Sequence, residues 1–149
     1  MSEKDKGFPA ISVKQLWANF IIAGIKPVEN RSRPTKFRGT ILIHASKTIG
    51  FGPDQVTPAE WKKLIKAGIC KTEGEYIFTR GSIIGMVDID DCVTSHKSEY
   101  FSGPYGWVLK NPVIFENPIE VNGRVGIFYV PKSILKKSPA AKAIPGSSQ

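Results

Sequence analysis

Residues 24–47 concentrate the side chains able to bind or process an anionic ligand. Val28 to Arg31 reads as a short extended segment that Ser32-Arg33-Pro34-Thr35 breaks into a loop, and a period of two places Glu29, Arg31 and, if the strand persists, Arg33 on one side, with Lys26 in the turn leading in. A carboxylate, a guanidinium and an ammonium can converge there in two ways. In one, Arg31 grips a phosphate or base edge while Lys26 and Glu29 hydrogen-bond the ligand or move a proton. In the other, a Glu29–Arg31 ion pair pins the strand and Lys26 stays in water. His44, at the end of the next apolar run, and His96, in a polar loop beside Ser95 and Ser98, are the remaining acid–base groups. A metal-free ribonuclease needs a base for the 2′-hydroxyl and an acid for the leaving oxygen, and His44, Lys26 or Lys47 have that chemistry.

Charge distribution points the same way. The chain has 21 Lys and Arg against 13 Asp and Glu, a net charge of +8, which favours an anionic partner and nucleic acid first. Between Lys26 and Lys47 six basic residues face one acid, so Arg31, Arg33, Lys36, Arg38 and Lys47 form a phosphate track or a solvated basic loop. Tyr105 and Trp107 share a face if the chain is extended, and the glycines and proline of 103–106 let it turn around them. Such rings stack a splayed base, worth about 1–3 kcal/mol, or fill the core. Asp88, Asp90 and Asp91 lack a further ligand at a fixed spacing and read as a solvated face before a metal site. Cys70 and Cys92 form no C-x-x-C pair and read as buried thiols. With no phosphate-binding loop, dinucleotide fingerprint or nucleophile elbow, no metal or organic cofactor is expected.

The positioning elements follow from periodicity. At 149 residues and 41% hydrophobic the chain makes one domain, and no run approaches the roughly 20 apolar residues of a membrane helix. The N-terminus lacks the apolar stretch of a signal peptide, so a cytoplasmic location is expected. Residues 1–10 read as a flexible leader. Ser12 and Gln15 are spaced as a capping box, and Val13, Leu16, Trp17, Phe20 and Ile21 predict an amphipathic helix ending at Gly24, with Trp17 in the core. Thr40–Ser46 predicts a strand with Ile41, Ile43 and Ala45 on one face and Leu42, His44 and Ser46 on the other. Thr57, Pro58 and Glu60 announce a helix that stops at Gly68 and buries Trp61, Leu64 and Ile65. Gly81–Val93 is a long strand with a bend or bulge at Gly85, followed by shorter strands near 107–109, 113–115 and 125–130. Residues 132–149, with four lysines and no acid, form a basic tail. The expected architecture is α+β: a small, partly closed mixed β-barrel of five to six strands with two or more helices at its openings.

Three stretches carry a family likeness: Ile-Ser-Val-Lys-Gln-Leu-Trp-Ala from Ile11, Gly24-Ile-Lys26-Pro-Val-Glu29-Asn-Arg31, and Arg38-Gly-Thr-Ile-Leu-Ile-His44-Ala-Ser-Lys47. This resembles the ASCH (activating signal cointegrator homology) domain, with its G-x-K-x-x-E-x-R motif followed by R-G and a strand ending in H-A-S. Gly81–Val87, Gly103–Trp107 and Gly126–Phe128 agree in order, so the resemblance covers residues 11–131. It implies a fold like the PUA RNA-binding barrel, with a cleft beside Lys26, Glu29 and Arg31. It also implies binding of RNA or another single-stranded nucleic acid, with a single-stranded or flipped, modified or unmodified nucleotide in that cleft. The alternatives are a metal-independent ribonuclease or modified-nucleoside amidohydrolase, with Lys26, Glu29 and His44 as catalytic residues, and an adaptor with a protein partner. Amidohydrolases of the family use Lys-x-x-Thr and a distant Glu; here Glu29 occupies the Thr position and Glu99 lies in the region of the distant Glu.

Overall fold

A computed structural model describes residues 7–75 and 79–135. Strand β1 (Phe8–Gln15) leads into helix α1 (Trp17–Ile22), then β2 (Val28–Arg31), β3 (Gly39–Ile49), helix α2 (Pro58–Ala67), β4 (Ser82–Val93), β5 (Tyr105–Glu120), β6 (Phe128–Val130) and helix α3 (Lys132–Leu135). The strands form one six-stranded mixed sheet in the order β2-β5-β4-β3-β1-β6. The β1/β3 pair is parallel, and the β2/β5, β5/β4, β4/β3 and β1/β6 pairs are antiparallel. The α+β class holds, but β2 and β6 are the outer strands and no ladder joins them, so the hydrogen bonding among the described residues is that of an open sheet rather than a closed barrel.

The N-terminal helix is much shorter than its sequence pattern predicts, and the chain ahead of it is strand from Phe8, including residues expected in the leader. Ala10 and Ile11 are fully buried on opposite sides of β1, and β-branched Ile11 and Val13 suit a pleated, packed surface better than a helix. The Ser12/Gln15 spacing forms no capping box. Ser12 pairs in register with His44, and Gln15 Nε2 donates to the Ser46 carbonyl at 2.8 Å. Gly24, at φ +78°, ends the α1 segment as expected.

Both faces of the sheet are covered. Ile41, Ile43 and Ala45 of β3 join Ile11, Val13, Ile84, Val87 and Ile89 beneath α1, while Leu42 meets Ile83, Met86, Phe115, Phe128 and Leu135 on the opposite face. Buried Leu135 gives residues 132–135 a place in the core that the basic-tail reading did not foresee; residues 136–149 and 1–6 lie outside the described residues. A third cluster packs Leu16, Phe20 and Ile25 against Trp61 and Leu64 of α2. Helix α2 has the predicted ends: Thr57 accepts from Glu60 N–H at 3.1 Å, the Glu60 carboxylate returns to Thr57 N–H at 2.9 Å, and Gly68 adopts φ +85°. Ile65 is 37% exposed, so the buried stripe is Trp61 and Leu64 alone.

β4 has the length expected, and its register against β5 shifts between Ile83 and Gly85. A Cβ on Gly85 would lie 2.2 Å from the Val113 carbonyl oxygen and 2.8 Å from Ile22, so glycine lets β5 and α1 approach there. The separate strands expected at 107–109 and 113–115 are one 16-residue strand that absorbs three register shifts, and the strand expected at 125–130 shortens to Phe128–Val130.

Candidate functional site

β2 is an edge strand four residues long, and its inner partner β5 sets its pleat by pairing Glu29 with Trp107 and Arg31 with Tyr105. The extended backbone puts Glu29 and Arg31 on one side as expected, and the turn after α1 delivers Lys26 behind them. Lys26 is only 4% exposed. Its ammonium donates to the Val28 carbonyl at 2.6 Å and to Glu29 Oε1 at 3.1 Å, and lies 5.6 Å from the centre of the Trp17 ring. Glu29 Oε2 accepts from Arg31 Nε at 2.9 Å and pairs with Nη2 at 2.8 Å. Arg31 Nη2 also reaches the Ser12 carbonyl at 3.0 Å, and its guanidinium lies 5.4 Å from the Trp107 ring centre.

Neither arrangement open in the sequence is complete by itself. The Glu29–Arg31 pair exists, but Lys26 is buried with it rather than solvated, and one carboxylate serves two cations. Burial lowers the Lys26 pKa below its ordinary 10.5; the charge and hydrogen bond of Glu29 oppose the shift and Arg31 adds to it. Arg31 is held at Nε and Nη2, whereas Nη1 has no partner among the described residues. It is a rigid cation with donors to spare.

This group lines a cleft of about 600 Å³ whose other walls come from Ser12 and Lys14 of β1, Trp17, and the Glu99–Ser102 loop. Asn30 fastens that loop. Its Nδ2 donates to the Tyr100 carbonyl at 2.9 Å, and its Oδ1 accepts from Ser102 N–H at 2.9 Å and Gly103 N–H at 3.1 Å. The Tyr100 hydroxyl donates to Glu60, tying the loop to α2; burial first, and then Glu60, raise the Tyr100 pKa, which keeps the hydroxyl protonated as a donor.

The other expected site residues are distributed differently. His44 is 2% exposed and lies outside the Lys26 cleft, against a second cavity, so the three expected catalytic groups are not assembled in one place. The two spaces share Ser12 and Arg31. Lys47 lines the second cavity. Arg33, Lys36 and Arg38 are exposed after β2; Arg38 donates to the Thr35 and Phe37 carbonyls and sits 3.7 Å from Asp91. Trp107 is a core residue, 5% exposed, with Nε1 donating to the Arg33 carbonyl, so it is no open stacking platform; Tyr105 is half-buried. Trp17, expected in the core, is half-buried and lines the cleft beside Tyr100.

Asp88 accepts from Thr40 and Asn111, Asp90 pairs with Lys110, and no group of three metal-ligating side chains occurs among the described residues. Cys70 is buried and Cys92 half-buried, both unpaired. Among the described residues no helix is long and apolar enough to cross a membrane. Sequence reasoning missed Ser12, Asn30 and Tyr100. Ser12 has the spacing of a helix cap, and nothing in local spacing ties Asn30 to a loop 70 residues away.

A mixed six-stranded sheet with short helices on its faces, and a Lys–Glu–Arg group on an edge strand beside a cleft, define a small α+β domain. The ASCH domain model matches residues 11–128, and the chain belongs to that family. It is 28% identical over 126 residues to human activating signal cointegrator 1 and 27% identical over 128 residues to the mouse protein, in each case across 77% of this chain. It spans about a fifth, 21%, of the length of those relatives. The crystal structure of an ASCH protein from Zymomonas mobilis superposes with a TM-score of 0.53 over 97% of this chain and 99% of that one, at 17% identity, a likeness of fold.

Proposed function

We propose that this chain is a nucleic-acid-binding domain that takes a single-stranded or flipped nucleotide into the cleft beside Lys26, Glu29 and Arg31. The ASCH family is generally linked to RNA binding, and the PUA-like reading of the sheet belongs to the same proposal. One observation carries it: Arg31 is immobilised by Glu29 and the Ser12 carbonyl while Nη1 keeps its donors, the arrangement needed to grip a phosphate or base edge without losing much side-chain entropy. Lys26 and Glu29 position Arg31 from behind. Exposed Arg33, Lys36 and Arg38 add a sequence-independent attraction for backbone phosphates. Trp17 and Tyr100 replace Trp107 as the aromatic wall of the cleft.

A metal-independent ribonuclease is the second reading, and it is favoured by the direction in which burial moves the Lys26 pKa, since a general base must release its proton. The experiment is incubation of labelled single-stranded RNA with the protein in EDTA, following retention and cleavage together. Salt-sensitive retention with intact RNA supports the binding domain. EDTA-resistant cleavage lost in Lys26→Met supports the nuclease. Absence of both, with salt-insensitive capture of a protein, contradicts both and leaves the adaptor.

A further inference from the structure

The second cavity, about 610 Å³, lies between β1, β3 and the Val121–Gly126 segment that joins β5 to β6. Its charge is one-sided: Arg31, Lys47 and Arg124 line it and no carboxylate does. Among the described residues neither Lys47 nor Arg124 has a hydrogen-bond or ion-pair partner, and Arg31 Nη1 has none either. Arg31 has Glu29 behind it, but Lys47 and Arg124 have no counter-ion among the described residues, so the concavity keeps a positive excess that an anion placed there relieves.

The wall of this cavity is fixed by specific bonds. Val121 N–H donates to the Gly81 carbonyl at 3.1 Å, and the Val121 carbonyl accepts from His44 Nε2 at 2.8 Å. A carbonyl can only accept, so Nε2 carries a proton, and the Ser12 hydroxyl is hydrogen-bonded to Nδ1 on the other side of the ring at 3.0 Å. Gly123 lies directly on this pair: a Cβ there would stand 2.6 Å from His44 Cε1 and 3.0 Å from Ser12 Oγ. Glycine therefore lets the segment lie low enough to bring Arg124 to the wall that Arg31 shares. On the other side the Lys47 stem crosses Gly81, where a Cβ would come within 3.2 Å of Lys47 Cε.

We propose that this cavity is a phosphate-binding site, holding one phosphate group between Arg31 and the Lys47–Arg124 pair. Because Arg31 and Ser12 border both spaces, a phosphodiester seated here belongs to the residue next to a nucleotide in the cleft. That strand source rests on the cleft being the nucleotide site; a free phosphate or mononucleotide does not depend on it.

The test titrates the full chain, in separate experiments, with inorganic phosphate and with a short single-stranded RNA, following backbone amide resonances of Gly123 and Arg124 and, as markers of the cleft, Asn30 and Tyr100. Saturable shifts of Gly123 and Arg124 are expected with at least one probe, and are expected to vanish in Lys47→Ala/Arg124→Ala. If RNA moves both sets, the strand is the source, and the double variant should reduce the slope of log K against log salt by about 0.7, the share of the one phosphate held here. If only inorganic phosphate moves Gly123 and Arg124, the site stands with a free source. Shifts of Gly123 and Arg124 by phosphate with no response anywhere to RNA keep the site and remove the cleft reading. RNA shifts confined to Asn30 and Tyr100, with no phosphate response, overturn the site and keep the cleft. No response to either probe overturns both.

Discussion

Replacing Glu29 by Gln keeps the shape of the side chain and removes the one negative charge that two cations share. Lys26, 4% exposed, would be left with the Val28 carbonyl and the face of Trp17. Removing one partner of a buried ion pair costs about 3–5 kcal/mol. The Arg31 side of the group adds less, because that side chain is 23% exposed and water takes over its free donors. The cost has a ceiling: Lys26 can shed its proton, and from an ordinary pKa of 10.5 that costs about 5 kcal/mol at pH 7. The expected loss is about 3 kcal/mol, which with a urea m-value of about 2 kcal/mol/M lowers the unfolding midpoint by about 1.5 M.

Adding Lys26→Met removes the stranded charge, so the double variant should regain more than half of the loss. The pH dependence has a definite sign. The folded-state pKa of Lys26 lies below its unfolded value of 10.5, so between the two the unfolded chain holds more protons and stability rises with pH. Below that window the cost of burying the ammonium is fully present, and above 10.5 it is gone. The window should widen in Glu29→Gln, where nothing opposes the lowering. Urea unfolding of the three proteins at pH 7 and pH 9.5 reads all of this. A single variant within about 0.5 kcal/mol of wild type, or a double variant no more stable than the single, would refute the account of a buried, mutually dependent group.

Three other outcomes are expected. Arg31→Lys should not rescue the RNA affinity lost in Arg31→Ala, because an ammonium gathers its donors on one atom and cannot reproduce the planar fork that spans Glu29, the Ser12 carbonyl and a ligand; binding isotherms of both variants decide this. Asn30→Ala removes three hydrogen bonds to the 100–103 loop and should cost about 1–3 kcal/mol in urea unfolding, with faster amide exchange confined to that loop. Thr57→Ala should cost about 1 kcal/mol through loss of the α2 cap, whereas Gly85→Ala, pressed against the Val113 carbonyl, should cost about 1–3 kcal/mol or more; thermal melts of the two rank them.

Where local chemistry decides structure, the sequence was legible. The capping box at Thr57, the stop at Gly68, the alternation of Thr40–Ser46 and the convergence of Glu29 with Arg31 all depend on residues a few positions apart. The N-terminal segment departs from its local pattern because Ser12 and Gln15 have helix-cap spacing, while its structure is set by β3, whose residues lie about 30 positions away along the chain. The placement of His44 against a different cavity from Lys26 has a related cause. His44 lies on the Leu42 face, as the alternation predicts, but its neighbours there, Ser12 and Val121, come from the β1/β3 ladder and the segment after β5, which spacing along the chain does not show. Burial of Lys26 was equally hidden, since a lysine next to proline reads as solvated until Trp17 and β2 close over it.

The cleft as the nucleotide site is tested most directly by mapping a photoreactive single-stranded RNA on the protein. Crosslinks should fall on Trp17, Arg31 and Tyr100 and disappear, together with retention, in Arg31→Ala. Crosslinks confined to surfaces away from β2 and the 99–102 loop, or undiminished in that variant, would contradict it.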